Sequence, residues 1–307
     1  MARQITGLSS SISKPSKMFV HWFRHGDLRL HDNPALCQSI ANVKDSSTKD
    51  NGLVPIFCFD PRYFGQDARS EFNSMKCGPR RAQFILESVQ DLRANLEKRG
   101  SGLIVLASTK AEDIFECLHK TQGDPSLGEK NNGLHITCQE EVASEEKRIN
   151  KSIQALNNKY GPLSLESVWG STLYNPEDLP FYDGLNGIPD TFTPFRNKVE
   201  KNCDINAPLG NPTKADLKLP SEAIMDTIIK CLQNYTNNES PLSYMPTLLD
   251  LGYTQEDIDS MENQKSTNLN FKGGETAALA RVEDYIWDKD LLKTYFDTRN
   301  GKKEQKN

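Results

Sequence analysis

Three stretches of the chain gather residue types that can do chemistry. The first is Trp22-Phe23-Arg24-His25-Gly26-Asp27-Leu28-Arg29-Leu30-His31-Asp32-Asn33-Pro34-Ala35-Leu36, a polar loop directly after an apolar run. Arginines so placed either clamp a charged ligand or pair with Asp27 and Asp32, and the chemistry alone favours pairing. Asp32 or Asn33 suits a helix cap, with Pro34 in the first helical turn. The second stretch is Gln139-Glu140-Glu141-Val142-Ala143-Ser144-Glu145-Glu146. There Ser144 can cap a helix whose positive end the glutamates favour. The third group is aromatic: Trp22, Trp169 and Tyr174 could line a ligand cage, although aromatic residues near strand ends more often belong to a core. The seven cysteines (37, 58, 77, 117, 138, 203 and 231) contain no CxxC pair. Cys58 and Cys138 sit in apolar runs as small hydrophobes, so the expectation is a reducing compartment with no disulfide framework and no zinc site.

A scaffold that positions these stretches is written between them. Met18–Phe23 and Leu53–Phe59 are apolar runs of strand length, the second ending at the turn signal Asp60-Pro61. Gly78-Pro79 opens a helix in which Ala82, Ile85, Leu86, Val89 and Leu96 share one face, and Gly100 closes it. A strand at 103–106, a helix at 111–120, a polar loop at 121–133, a strand at 134–138, a helix at 144–159 and a short strand at 167–169 follow. This alternation predicts an α/β fold, a Rossmann-like doubly wound parallel sheet. Ligands in such sheets sit beyond the carboxyl ends of the strands, which singles out the loops at 24–34, 60–78, 107–111, 139–146 and 169–180. From about 202 to 270 the apolar periodicity weakens and proline, asparagine and serine recur. That segment reads as a connector with one or two short helices, for instance at 221–233, and marks a domain boundary. Helices at about 274–287 and 290–298 form a short, incomplete α-helical segment before a lysine-rich end.

Composition limits the possible partners. A formal net charge of −5 over 307 residues argues against a chain built for tight electrostatic binding to nucleic acid. No stretch approaches the roughly 20 apolar residues of a membrane helix, so no membrane partner is expected. Residues 1–17 are serine-rich, contain Arg3, Lys14 and Lys17, and lack acidic residues. They fit a weak transit peptide or an untethered tail, which leaves cytoplasm, nucleus, chloroplast and mitochondrion all open for a soluble protein.

The opening loop resembles the first motif of the cryptochrome and photolyase family. Four further collinear stretches are similar to the family in the same order. They are the helix beginning Gly78-Pro79-Arg80-Arg81-Ala82-Gln83-Phe84, the Gln139–Glu146 loop, the run Trp169-Gly170-Ser171-Thr172-Leu173-Tyr174 with Asp178–Phe181 and Phe192–Arg196, and Gly273-Gly274-Glu275-Thr276-Ala277-Ala278-Leu279. The DASH branch is the nearest in pattern, although Arg24-His25-Gly26-Asp27 stands where that branch has a shorter Arg-Asn-Asp stretch.

The resemblance implies an antenna domain at 18–200, an interdomain connector at 201–270, and the truncated start of an FAD-binding helical domain at 271–307. It implies an antenna pigment, a methenyltetrahydrofolate-type folate or a deazaflavin, held by Glu141 first, with Ser144 and Glu145 in the same loop. It places Tyr295 near FAD and Arg299 near DNA, and puts no catalytic residue and no metal in this chain. The family's light-driven repair of pyrimidine dimers, or its blue-light photoreceptor role, is then expected of full-length members, with this chain alone inactive. The alternative is a non-catalytic nucleotide- or folate-binding module, or a protein-interaction module.

Overall fold

Alternation along the strands decides which side chain faces which layer. The computed structural model describes residues 17–46, 52–121, 133–181, 186–236, 238–263 and 271–298. Five parallel strands, β1 Met18–Phe23, β2 Leu53–Phe59, β3 Ile104–Ala107, β4 Leu134–Gln139 and β5 Leu163–Val168, lie in the order β3-β2-β1-β4-β5. Parallel neighbours require crossovers, and helices α1 Pro34–Asp45, α2 Pro79–Glu97, α3 Ala111–Thr121 and α4 Ser144–Gln154 supply them. Phe19, Phe23, Phe57, Phe59 and Val105 face α1 and α2. The alternate residues Val20, Trp22, Ile56, Cys58, Leu106, Ile136 and Cys138 face α3 and α4. Because both sheet faces are covered, β1 and β2 are buried along their whole length and read as continuous apolar runs.

Local signals start the first two helices. The Asn33 side chain accepts the Leu36 N–H at 3.0 Å, and Pro34 and Pro79 open α1 and α2, where a missing N–H costs nothing. Two predicted elements differ in extent. The edge strand β5 begins at Leu163, not 167, because its residues alternate in exposure and carry no continuous apolar run. Helix α4 stops at Gln154, since the chain turns through Asn158 (φ 66°) and Gly161 (φ 137°) before β5.

The segment predicted as a connector packs into both cores. Two further helices, α5 Phe192–Asn202 and α6 Glu222–Leu232, lie on it, with α7 Gln255–Asn263 beyond. Leu217, Tyr244, Leu248, Leu251 and Tyr253 join the α1/α2 core, while Met225, Ile228 and Leu232 of α6 join the opposite one. Polar bonds fasten the same wrap. Arg93 on α2 donates to the carbonyls of Ser243 (3.1 Å) and Tyr244 (2.6 Å), and the Val105 N–H of edge strand β3 donates to the Pro241 carbonyl at 3.0 Å.

Helix α8 Glu275–Val282 is joined to the sheet domain by the Gly273-Gly274-Glu275 turn. A Cβ on Gly273 would stand 2.1 Å from the Phe84 carbonyl oxygen, and Gly274 has φ 114° against Asp91, so both positions require glycine. Glu275 then accepts the backbone N–H groups of Leu30 (2.9 Å) and His31 (2.8 Å) across the molecule. Past Val282 the chain makes a π-helical turn over Glu283–Asp288 and leaves Trp287, Tyr295 and Phe296 exposed.

The expectation of free thiols needs one correction. Cys117 on α3 and Cys231 on α6 are disulfide-bonded, with Cα atoms 6.3 Å apart. Only the packing of α6 on α3 brings them together; a separation of 114 residues leaves no spacing signature. Cys37, Cys58, Cys77, Cys138 and Cys203 are free, and Cys58 and Cys138 are core residues.

Candidate functional site

The chain leaving β1 goes to α1 on one face, and the chain leaving β4 goes to α4 on the other. That divergence opens a crevice at the carboxyl ends of the two strands, the usual ligand position in an open parallel sheet. A cavity of about 270 Å³ lies there. Its lining comes from loops after three strands: Trp22, Arg24, His25 and Gly26 after β1, Cys58, Asp60 and Tyr63 after β2, and Glu141 and Glu146 after β4.

Arg24 is the central charge of the cavity. It is only 6% exposed, its guanidinium stacks 3.9 Å from the centre of the Trp22 ring, and neither Nη1 nor Nη2 has a hydrogen-bond partner. Burying a charge without partners is costly, so such a group is built to receive one. The expected pairing of the loop arginines with aspartates is not what forms. Asp27 accepts the Arg24 backbone N–H at 2.5 Å, and Asp32 accepts the Leu209 N–H at 2.9 Å. Arg29 donates to backbone carbonyls, among them Asp32 at 2.9 Å. The turn is too tight for side-chain pairing, and the backbone donors claim the carboxylates first.

Facing Arg24 are polar atoms of opposite character. Glu146 Oε2 and the Tyr63 hydroxyl are buried without partners. Burial raises the Glu141 carboxyl above its usual range, with the Arg24 charge acting in the opposite sense. His25 meets Tyr63 and Phe64 edge-on, with centroids 5.6 and 5.2 Å away. Burial, then Arg24 and Arg81, lowers its pKa to about 4, so it presents a neutral imidazole at neutral pH. Gly26 leaves room for Gln139, whose Nε2 would stand 2.9 Å from an added Cβ.

Asp60 ties the cavity to α3. Its Oδ1 accepts from the Arg62 N–H (3.0 Å) and Nε (2.8 Å), and its Oδ2 accepts the Ala111 N–H at the start of α3 (3.2 Å). Arg62 also donates to both Glu112 oxygens, at 2.8 and 2.6 Å.

Of the predicted pigment contacts, Glu141 lines the cavity while Ser144 and Glu145 do not. Glu145 accepts from Lys76 at 2.6 Å, fastening the 60–78 loop to α4. Ser144 is exposed and does not cap α4, which begins after Ala143 with no side-chain cap. Glu146, one residue on, turns about 100° around the helix and faces inward. Arg24, His25, Tyr63 and Glu146 were not singled out by sequence, although the position of Arg24 just beyond an apolar strand was a usable signal. Trp22 is core and cavity wall together. Trp169 and Tyr174, expected in the core, form a half-exposed turn in which the indole N–H donates to Thr172 at 2.8 Å. Tyr295 is 52% exposed and is not in the lining of this cavity, and Arg299 lies outside the described residues.

Beneath the cavity Asp27 and His21 are fully buried, 3.9 Å apart, and His21 Nδ1 lies 2.7 Å from the Ser39 hydroxyl. Burial pushes the Asp27 carboxyl up to about 7 and His21 down to about 3. A carboxyl whose folded pKa is raised contributes stability that is full below about pH 4 and lost as pH rises through about 7. The depressed histidines act only below about pH 6.5, so the interval from about pH 6.5 to 8 isolates Asp27. Asp27→Asn, which keeps an acceptor for Arg24, is expected to flatten the decline of stability across that interval. Urea midpoints measured through it check this; an unchanged slope refutes it.

No group of three or more His, Cys, Asp or Glu suited to a metal occurs among the described residues, and none of their helices is long and apolar enough to cross a membrane. A family model for DNA photolyase matches residues 19–215. A cryptochrome DASH of Gloeobacter violaceus is 36% identical over 93% of the chain and 48% of its own length. The chloroplastic/mitochondrial cryptochrome DASH of Arabidopsis thaliana is 35% identical over 95% of the chain and 44% of its own. The solved cryptochrome of Synechocystis superposes with a TM-score of 0.63 at 29% identity, over 94% of this chain and 50% of that one. The chain thus spans about half the length of the curated relatives it matches. With a ligand crevice at the sheet's switch point and a family match across most of the sheet and its helices, this chain belongs to the DNA photolyase family and is similar to its cryptochromes of the DASH type.

Proposed function

We propose that residues 18–200, with the 201–270 wrap, form a light-antenna unit that holds a planar heteroaromatic pigment in the crevice at the ends of β1 and β4. The supporting observation is the Arg24 guanidinium, buried, unpartnered and facing a cavity edged by Glu141, Glu146 and the Tyr63 hydroxyl. A folate-type or deazaflavin pigment offers an electron-rich carbonyl oxygen for the guanidinium, and ring or amino N–H groups for the carboxylates. Trp22 and His25 supply flat walls, and the neutral state of His25 avoids a second cation beside Arg24. When bound, the pigment contributes near-ultraviolet and blue absorption. The chain's own groups bind it, orient it and keep water away.

In this reading residues 271–307 begin the helical domain that carries FAD in longer members of the family. The described part offers an exposed Tyr295 and no enclosing pocket around it, so no flavin chemistry is derived for this chain. Binding of DNA and the repair or signalling role belong, on the same reading, to the longer proteins. An organellar or a nuclear-cytoplasmic setting fits equally, as relatives described as chloroplastic/mitochondrial show the first to be in use.

Reconstitution tests the proposal. The purified chain incubated with methenyltetrahydrofolate, and separately with a deazaflavin, is expected to co-elute with one of them in gel filtration and to show its absorption band, with Trp22 emission quenched. A chain that takes up neither pigment overturns the antenna reading and leaves the protein-interaction module.

A further inference from the structure

We propose that Cys117 and Cys231 form a redox-reversible clasp that locks the 204–253 wrap onto α3, the helix whose first residue walls the cavity. The pair joins facing surfaces of α3 and α6, with Cα atoms 6.3 Å apart, inside the window of roughly 4.4–6.8 Å that disulfides use. Both cysteines are partly exposed, so small thiols reach them, whereas Cys58, Cys77 and Cys138 are buried. The two ends of the bond lie against the same core. Phe115 on α3 meets Trp22 edge-on at 5.1 Å, Ala111 lines the cavity, and Ile228 and Leu232 of α6 pack into the same cluster. The closed loop holds β4, α4 and β5, and therefore Glu141 and Glu146.

The chemistry is thiol–disulfide exchange. One cysteine thiolate attacks a low-molecular-weight disulfide such as oxidised glutathione and releases one glutathione thiolate. The second cysteine thiolate then displaces the other, so two protons leave the cysteines and two electrons reside on the glutathione. A dithiol reverses both steps. Closing a loop of 114 residues removes much chain entropy from the unfolded state, so opening it is expected to lower the melting temperature by roughly 5–10 °C.

The test equilibrates the whole chain with oxidised glutathione or with dithiothreitol, followed by thermal melts, differential alkylation and non-reduced peptide mapping. The expected result is a peptide pair joining Cys117 to Cys231 in the oxidised sample only, with the higher melting temperature confined to that sample. Cys117→Ser and Cys231→Ser are each expected to abolish the redox dependence. An oxidised wild type whose Cys117 and Cys231 both still alkylate overturns the proposal, as does a serine variant that keeps the full shift. Alkylation of the wild type decides the matter even where a serine variant fails to fold.

Discussion

Arg24→Leu is expected to weaken pigment binding by about 10–100-fold while leaving the ligand-free protein at least as stable as wild type. Hydrogen bonds to a charged group are worth about 1.5–3 kcal/mol, and each 1.4 kcal/mol is roughly tenfold in affinity. The same substitution removes a buried cation that has no hydrogen-bond partner on either terminal nitrogen, and apolar replacements of buried charges are often neutral or stabilising. The two effects point in opposite directions, so the experiment discriminates. Titration of the variant with the pigment, beside a thermal melt without it, gives both numbers. Lost stability with unchanged affinity would show Arg24 to be a structural residue and would remove the main support for the crevice as a binding site.

Asp60→Ala is expected to cost about 2–4 kcal/mol of stability, seen as a melting temperature lowered by roughly 5–10 °C. One carboxylate here accepts from Arg62 and from the first N–H of α3, and removing it strands both donors. The range lies below that for a fully buried pair because the Arg62 side chain is 31% exposed and partly screened. Asp60→Asn, which retains acceptor capacity, is expected to recover part of the loss. Burial raises the Asp60 carboxyl, but the hydrogen bonds from Arg62 and Ala111 outweigh it and hold it below the ordinary range. Its contribution is therefore present at neutral pH and lost as pH falls below about 4, the opposite of Asp27. Melts of wild type and Asp60→Ala should converge in acid; a gap that persists there would rule out the ionic explanation.

The sheet was legible because its central strands are buried on both faces and announce themselves as apolar runs, as Leu53–Phe59 does. Strand β5 was placed late because an edge strand mixes exposed and buried positions. The 201–270 wrap looked loose for a different reason. Leu217, Tyr244 and Tyr253 are buried one at a time from turns, and a period of two or 3.6 cannot reveal residues inserted singly. In the crevice the right loop was visible but the right residue was less so. Glu145 and Glu146 are adjacent glutamates, and only the phase of α4 sends one to Lys76 and the other to the cavity. Likewise, the pairing of Arg24 with Asp27 is sound chemistry between free side chains. It fails because the turn delivers a backbone donor to that carboxylate first.

The long reach of Arg93 has a consequence for biosynthesis. Its guanidinium, seated between α2 and β3, finds its acceptors at Ser243 and Tyr244, 150 residues later. At translation speeds of about 5–20 residues per second, a nascent chain would wait roughly 8–30 s between making this arginine and making the carbonyls that satisfy it. Through that interval the outer side of α2 and the rim of β3 stay open on the ribosome. Slowing or pausing synthesis between residues 110 and 240 should therefore deepen the chain's dependence on chaperones, whereas a pause after 253 should not.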